Sequence, residues 1–162
     1  MDISARTDYA VRALLTLAAA QRERDLTSDE PHTAAVSVDV LVREQGLPRK
    51  FLEAILADLR RGGLVTSRRG PGGGYALARP ADQIYLGDVF RTVDGPLAEV
   101  RGLRPHETAY TGAAEHLPVV WVAVRASLRR VLDECSLADV LDGRLPHHVV
   151  DLAAAPDAWR NR

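Results

Sequence analysis

The chain has 162 residues, of which 46% are hydrophobic, and a formal net charge of −1. This length and apolar content fit one domain with a packed core, with room for an appended arm. No apolar run approaches the roughly 20 residues of a membrane span. Arg6, Asp8 and Arg12 interrupt any signal-peptide pattern at the start. We therefore expect a cytoplasmic protein with no membrane partner.

The basic side chains are concentrated in one part of the chain. Residues 43–79 carry eight basic and three acidic side chains, a local charge of +5, which leaves about −6 for the rest. Such an asymmetry is typical of a protein that turns one face to a polyanion. The distribution of charge, rather than its total, therefore indicates nucleic acid.

The N-terminal third begins with a predicted helix. Apolar residues recur at helical spacing within residues 4–21, and Ser4 is placed to cap this helix. Residues 22–35 are polar and contain a proline, which predicts a loop. A short strand over 36–38 and a helix over 38–45 follow, and Gly46 ends that helix.

A third helix and a hairpin come next. Pro48 suits the first turn of the helix, and Gly62 with Gly63 stops it. Its apolar stripe is expected to be buried and consists of Phe51, Leu52, Ile55, Leu56 and Leu59. Residues 64–67 and 75–77 are predicted to be the two strands of a hairpin. Two helices around a Gly46 turn, followed by this hairpin, predict a winged helix-turn-helix.

The remainder is predicted to be helical with irregular connections. Residues 86–93 suggest a short helix, 95–114 an irregular connection and 116–134 a long amphipathic helix. Ser136 can cap a last short helix. Residues 143–162 contain two prolines and little periodicity, so we expect a mobile tail. The predicted fold class is mainly α with a small β-hairpin wing.

Charged residues in the first turn of the third helix are candidates for base contacts. Arg49, Lys50 and Glu53 lie off the apolar stripe, at the end of the helix that reaches base edges in such folds. Arg or Lys can donate to guanine, and Glu can accept from the cytosine amine. The alternative is a solvated polar face, which the hairpin that follows makes less favourable.

The hairpin tip combines paired arginines with glycines. Arg68 and Arg69 can bind phosphates or lie in a narrow minor groove, and the glycines permit close approach of the backbone. The alternatives are an ordinary charged hairpin and, for Arg60 and Arg61, simple complementation of the helix dipole. The predicted DNA-binding residues are Arg49, Lys50, Phe51, Glu53, Arg60, Arg61, Arg68, Arg69, Gly72, Gly73 and Tyr75.

Other chemistry finds little support in the sequence. Residues 70–74 are not followed by a Gly-Lys-Ser/Thr motif or a helix, so a phosphate-cradling nucleotide loop is not expected. No catalytic residue, metal site or cofactor is predicted, because no catalytic elbow or metal-ligand spacing occurs. Cys135 is the only cysteine and is either an ordinary half-buried thiol or a redox-sensitive one.

The sequence resembles the Rrf2 family of bacterial transcription regulators. The matching segments are residues 3–14 (ISARTDYAVRAL), 46–64, 69–75 (RGPGGGY), 86–89 (LGDV) and 93–95 (VDG). The resemblance implies a homodimer in which the long helix crosses its partner. Each winged unit would read half of a palindromic operator in double-stranded DNA, with half-sites roughly 10 bp apart.

The resemblance also defines a candidate dimer interface and a domain plan. The stripe Trp121, Val124, Leu128 and Val131 fits a dimer contact, and packing inside one subunit is the alternative. The plan is a winged DNA-binding domain over 1–82, a short helix and connection over 83–115, a dimerisation helix with a cap helix over 116–142, and the tail.

One departure from the family pattern concerns iron. Cluster-bearing members hold an iron-sulfur cluster through three cysteines before the long helix, whereas residues 96–115 of this chain contain none. Because thiolates are the usual cluster ligands, this chain is not expected to hold the usual cluster. Asp8 matches a position that supplies an acidic ligand in some members, and we interpret it as a surface or hinge residue.

The predicted function is a dimeric, cluster-free, sequence-specific transcription regulator, a repressor that occupies promoter DNA. Its signal would be a small molecule, a partner protein or oxidation at Cys135. The alternative is a protein-interaction module that regulates a metabolic enzyme or another partner, with DNA binding secondary. The +5 segment argues against that alternative. An enzyme is not expected, since paired acid and base residues are absent.

Overall fold

The computed structural model describes residues 2–27 and 35–160. These residues form seven α-helices, one two-stranded antiparallel hairpin and three short 3-10 helices. The elements run α1 (Ala5–Thr27), α2 (Val38–Gln45), α3 (Arg49–Arg61), β1 (Val65–Arg68), β2 (Gly74–Leu77), α4 (Leu86–Val93), α5 (Leu117–Leu132), α6 (Leu137–Asp142) and α7 (His147–Ala153). No helix in this part of the chain is long and apolar enough to cross a membrane.

Helix α1 begins where the sequence predicts and ends later. The hydroxyl of Ser4 accepts the backbone N–H of Thr7 at 3.0 Å, as an N-cap does. The helix then continues to Thr27, so the loop predicted from residue 22 is wrong for residues 22–27. These residues include neither glycine nor proline, and Arg22 pairs with Asp142 at 2.6 Å. The rest of that predicted loop, residues 28–34, lies outside the described residues.

A single core joins the winged unit to the C-terminal half. Leu14, Leu52 and Leu56 are fully buried, and Ile84, Val89 and Leu137 belong to the same cluster. The predicted boundary at residue 82 therefore does not separate two cores. Leu137 reaches this core because Ser136 caps α6, with its hydroxyl accepting the N–H of Asp139 at 3.1 Å.

The connection and the C-terminal segment differ in how regular they are. Residues 95–114 contain two short 3-10 helices and an isolated bridge between Val100 and Leu103, in keeping with an irregular connection. Residues 143–162, where periodicity predicted no helix, include α7. Helix α7 has only seven residues, none of them buried, so it offers a short window for helical periodicity.

Candidate nucleic-acid interface

The turn between α2 and α3 is fixed by its caps. The hydroxyl of Ser37 accepts the N–H of Val40 at 3.3 Å and starts α2. Gly46 ends that helix in the left-handed conformation, at φ +64°, and donates to the carbonyl of Val42 at 2.9 Å. Glycine adopts this conformation without a Cβ clash, so α3 can start three residues later at Arg49.

The wing is tied to the segment before α2. Val36 and Tyr75 exchange two backbone hydrogen bonds of 2.8 Å, which reduces the strand predicted over 36–38 to this single bridge. A Cβ on Gly74 would lie 2.2 Å from the carbonyl oxygen of Val36. The backbones can therefore approach this closely only because residue 74 is glycine, and the approach holds the wing against the helix-turn-helix.

The wing tip carries two exposed arginines. In the hairpin register Arg68 pairs with Gly74, and a 2.9 Å hydrogen bond from the N–H of Gly73 to the carbonyl of Gly70 closes the turn. Arg68 and Arg69 are exposed, and neither has an ion-pair partner within residues 2–27 and 35–160. Their charge is free to meet a polyanion.

Arg49 and Lys50 start α3 in different electrostatic settings. Arg49 donates from Nε to Glu53 at 3.0 Å and also pairs with Asp39 of α2. The hydrogen bonds to Glu53 and then to Asp39 raise the pKa of Arg49 above its usual value. Lys50 is exposed and has no carboxylate partner in the described part of the chain. Of the two predicted base-reading cations, only Lys50 is therefore unpaired.

Phe51 corrects the predicted burial of the α3 stripe. Leu52, Ile55, Leu56 and Leu59 are fully buried as expected, but Phe51 is 41% exposed. Its ring meets Tyr9 of α1 edge to face, with the ring centroids 5.9 Å apart. The Arg12 guanidinium lies 5.4 Å from the centroid of the Tyr9 ring. Tyr9 and Arg12 therefore adjoin this surface, which sequence reasoning missed because the contact joins two distant helices.

The two arginines at the end of α3 have partners inside the protein. Arg60 donates to the hydroxyl of Ser67 at 3.2 Å and so links α3 to β1. Arg61 pairs with Asp58, which also pairs with Arg6 of α1. The Asp58 side chain is only 12% exposed. Both arginines thus have a structural role, and their contact with DNA stays a prediction.

Helix α3 and the wing enclose a cationic cavity of about 350 Å³. Asp39 is the one acidic side chain in its lining. The lining also includes four arginines: Arg49, Arg60, Arg68 and Arg69. Glu53 and Phe51 lie on the same helix, Gly72 at the tip is exposed, and Gly73 with Tyr75 forms part of the cavity wall. A helix presented beside a cationic hairpin defines a winged helix-turn-helix DNA-binding protein.

One face of α5 is apolar and at least partly exposed. No residue of this helix is buried, and Val120 is 51% exposed. Val124, Leu128 and Val131 line an apolar groove of about 810 Å³ together with residues of other elements, namely Ile3, Phe90, Leu97 and Leu152. Trp121, the fourth predicted interface residue, instead lines a neighbouring cavity with residues 98–101.

The metal-ligand chemistry of the chain does not fit an iron-sulfur cluster held by three cysteines. The only thiol is that of Cys135, which is 3% exposed, and its pKa is raised by burial and then by the charge of Asp139. Within the described ranges no group of three or more His, Cys, Asp or Glu could hold a metal ion. Asp8 is exposed and pairs with Arg12 at 3.7 Å.

Comparison with known proteins agrees with this class. The profile of the Rrf2 family, described as an iron-dependent transcriptional regulator, matches residues 3–143. A helix-turn-helix transcriptional regulator of Mycobacterium tuberculosis is 46% identical over 153 residues, which cover 94% of this chain and 89% of that protein. The chain therefore belongs to the Rrf2 family and is a DNA-binding transcription regulator.

Solved structures give the same fold. The structure of CymR, the global cysteine regulator of Bacillus subtilis, superposes with a TM-score of 0.70 at 26% identity and covers 88% of this chain and 98% of its own. The structure of T. potens IscR has a TM-score of 0.65 at 30% identity, with coverages of 93% and 96%. Both neighbours are winged-helix regulators, in agreement with the mainly α fold and its hairpin wing.

Proposed function

We propose that the protein binds a palindromic operator as a homodimer and represses transcription by occupying promoter DNA. The observation that carries this proposal is the pair of exposed arginines, without ion-pair partners in the part of the chain that the structure describes, at a wing that the Val36–Tyr75 bridge fixes beside α3. A rigid spacing between helix and wing lets one unit contact the major groove and the adjacent backbone together.

The contacts divide between phosphate and base. Arg68 and Arg69 bind phosphates or a narrow minor groove, since they stand at the tip of the wing. Lys50 and Phe51 are exposed at the start of α3, where a cation can donate to guanine and an aromatic ring can contact the thymine methyl group. Asp39 and Glu53 already engage two of the three nitrogens of Arg49, so these carboxylates compete with a base for its donors.

The second copy of the chain would cover the apolar groove of α5. A helix whose valines are exposed over a cavity of about 810 Å³ is unusual on a monomer. Pairing two copies through Val124, Leu128 and Val131 would bury this face and present two winged units to one operator. Because the target is chromosomal DNA, we place the protein in the cytoplasm.

We further propose that the protein works without an iron-sulfur cluster. The support is the donor set, because one buried thiol cannot replace three cysteine ligands. If so, anaerobically purified protein will have no visible absorption band, and iron chelation will leave its DNA affinity unchanged. A band that disappears together with DNA binding would contradict this part of the proposal.

Operator selection tests the main proposal. Genomic fragments captured by the purified protein are sequenced and footprinted, and the mass of the complex gives the number of chains for each site. The expected result is a protected palindrome with half-sites about 10 bp apart and two chains bound. Binding without sequence preference, or one chain on each site, would refute it. A rise in target transcripts on gene deletion would identify a repressor, and a fall would identify an activator.

A further inference from the structure

A second cationic cavity lies outside the winged unit. It has a volume of about 380 Å³ and is formed by α4, the connection that follows it, and α5. Four arginines and one carboxylate line it: Arg91, Arg104, Arg125, Arg129 and Asp133. The proposed DNA interface uses none of these residues, so the cavity needs a separate explanation.

Two of the arginines already have a partner. Asp133 accepts from Arg91 at 2.7 Å and from Arg129 at 3.0 Å. Burial by itself would raise the pKa of Asp133, but the hydrogen bonds from Arg91 and then Arg129 outweigh burial and lower it. Arg91 also donates to Asp88 at 3.1 Å. The one lining carboxylate is therefore ionised and fully engaged.

The other two arginines, Arg104 and Arg125, have no carboxylate partner among the residues that the structure describes. Arg125 is half-buried and lies one helical turn before Arg129, while Arg104 is exposed at the cavity edge. Neither side chain forms an ion pair with any described residue. Like charges gathered at a partly buried site repel one another unless an anion joins them. The lining side chains carry a net charge of +3, and Asp88, which is outside the lining, offsets part of it through Arg91.

We propose that this cavity binds a small organic dianion bearing carboxylate or phosphate groups. Guanidinium groups bind both of these planar or tetrahedral anions through paired N–H donors. Pro96 and Leu97 supply an apolar wall for the carbon skeleton of the ligand, and the volume is at the lower end of the range for small-molecule sites. None of its residues belongs to the proposed DNA interface, and its arginines do not line the proposed dimer groove.

The arginines of the cavity lie beside the proposed dimer face of α5, and neither Arg125 nor Arg129 lines the apolar groove. With 3.6 residues per turn, Arg125 and Arg129 lie roughly 110° around the helix axis from the centre of the stripe Val124, Leu128 and Val131, on an adjacent face. A second copy centred on that stripe would therefore adjoin the face that carries the arginines rather than pack directly on it. Pro96 and Leu97 line both cavities, so a bound ligand would touch the segment that also borders the groove.

Calorimetry on the full chain tests the proposal without DNA. The probes are succinate, inorganic phosphate and the neutral succinamide, at constant ionic strength in a buffer of low chloride. Succinate or phosphate is expected to bind saturably and succinamide is not. The tighter of the two probes identifies the anionic group as carboxylate or phosphate. Arg125→Gln and Arg104→Gln are each expected to weaken binding about tenfold or more.

Arg130→Gln is the matched control, because Arg130 is an exposed arginine of the same helix that does not line the cavity. It is expected to bind the probes like the parent. Circular dichroism checks that each variant is folded. If Arg125→Gln is not folded, the result for Arg104→Gln decides the test. No saturable binding up to roughly 10 mM, equal binding of succinamide, or equal losses in the control would each overturn the proposal. If Arg125→Gln and Arg104→Gln bind the probes like the parent but lose affinity for DNA, the cavity is a DNA contact. That result would also overturn the proposal.

Discussion

Each wing arginine contributes one positive charge to the proposed DNA contact. The contribution of this charge to DNA affinity can be measured from the dependence of that affinity on salt concentration. Arg68 and Arg69 are exposed and unpaired in the described residues. Replacing both with alanine is expected to weaken binding to every DNA sequence and to reduce the slope of log K against log salt by about 0.9 for each phosphate that the variant no longer neutralises. Fluorescence anisotropy over a salt series measures this slope.

Arg144→Ala is a suitable control for the wing variant. Arg144 lies in the connection between α6 and α7, outside the winged unit. Its side chain is 81% exposed and pairs with Asp142. This variant should keep the parent slope. If the double wing variant keeps it as well, the tip does not contact the backbone.

Lys50 is the cation at the start of α3 that is free to read a base. Lys50→Ala is expected to relax the preference at one operator position by about 1 to 3 kcal/mol and to leave the other positions unchanged. Binding to a set of single-base operator variants measures this preference. A uniform loss of affinity over the set would assign Lys50 to phosphate instead.

Cys135 lies in a setting that disfavours its thiolate. The residue is 3% exposed, and burial raises its pKa. Because the thiolate is the reactive form, alkylation at pH 8 is expected to be slower in the native protein than in urea by roughly tenfold or more. Mass spectrometry of the modified fraction over time measures the rate. Equal rates would restore Cys135 as a candidate redox sensor.

At the scale of elements, the fixed wing depends on one glycine. A Cβ on Gly74 would lie 2.2 Å from the Val36 carbonyl oxygen, whereas Gly70, also at positive φ, has nothing within 4 Å. Gly70→Ala is expected to cost about 1 kcal/mol from backbone strain alone. Gly74→Ala should cost about 2 kcal/mol more and weaken DNA binding, because the bridge must open.

Urea unfolding of the two glycine variants measures their losses of unfolding free energy, and DNA titration measures their operator affinities. Together these measurements separate backbone strain from displacement of the wing. Equal losses of unfolding free energy would show that the Val36 contact does not hold the wing. An unchanged operator affinity for Gly74→Ala would show that the wing position is not required for binding.

Several elements were predictable because short-range rules set them. Helices α2 and α4 run over Val38–Gln45 and Leu86–Val93, as predicted, and each strand differs from its prediction by one residue at one or both ends. Caps, left-handed glycines and helical periodicity act within a few residues, so the sequence shows them directly. Residues 22–27 were missed because they are mostly polar, and α7 was missed because its seven residues are a short window for helical periodicity.

At the scale of the whole molecule, the groove on α5 predicts the oligomeric state. Val124→Asp would put an unpaired charge into the proposed dimer interface, where we expect a loss of about 3 kcal/mol, or roughly a hundredfold in dimer affinity. Val122→Asp is the matched control, because the two valines have similar exposure, 43% for Val122 and 39% for Val124. Of the two, only Val124 lines the groove. Sedimentation velocity distinguishes monomer from dimer, and equal behaviour of the two variants would exclude this face.

The candidate DNA site was predictable in position and less so in detail. The charge of residues 43–79 and the RGPGGGY tip located it. Contacts between separate elements set part of its arginine network: Arg49 pairs with Asp39, Arg60 donates to Ser67, and Asp58, the partner of Arg61 on the same helix, also pairs with Arg6 of α1. Phe51 fits the apolar period of α3 but lies at the edge of its buried face, so only the packing against Tyr9 decides its exposure.

The sequence by itself determined the winged helix-turn-helix, its glycine turns and its basic segment, because these depend on backbone conformation and on charges close together in the chain. The tertiary structure decided which cations stay free, which valines of α5 remain uncovered, and that Arg91, Arg104, Arg125 and Arg129 meet in one cavity. The physical reason is range. Ion pairs, burial and cavities arise between groups distant in sequence, and only the folded chain sets their separation.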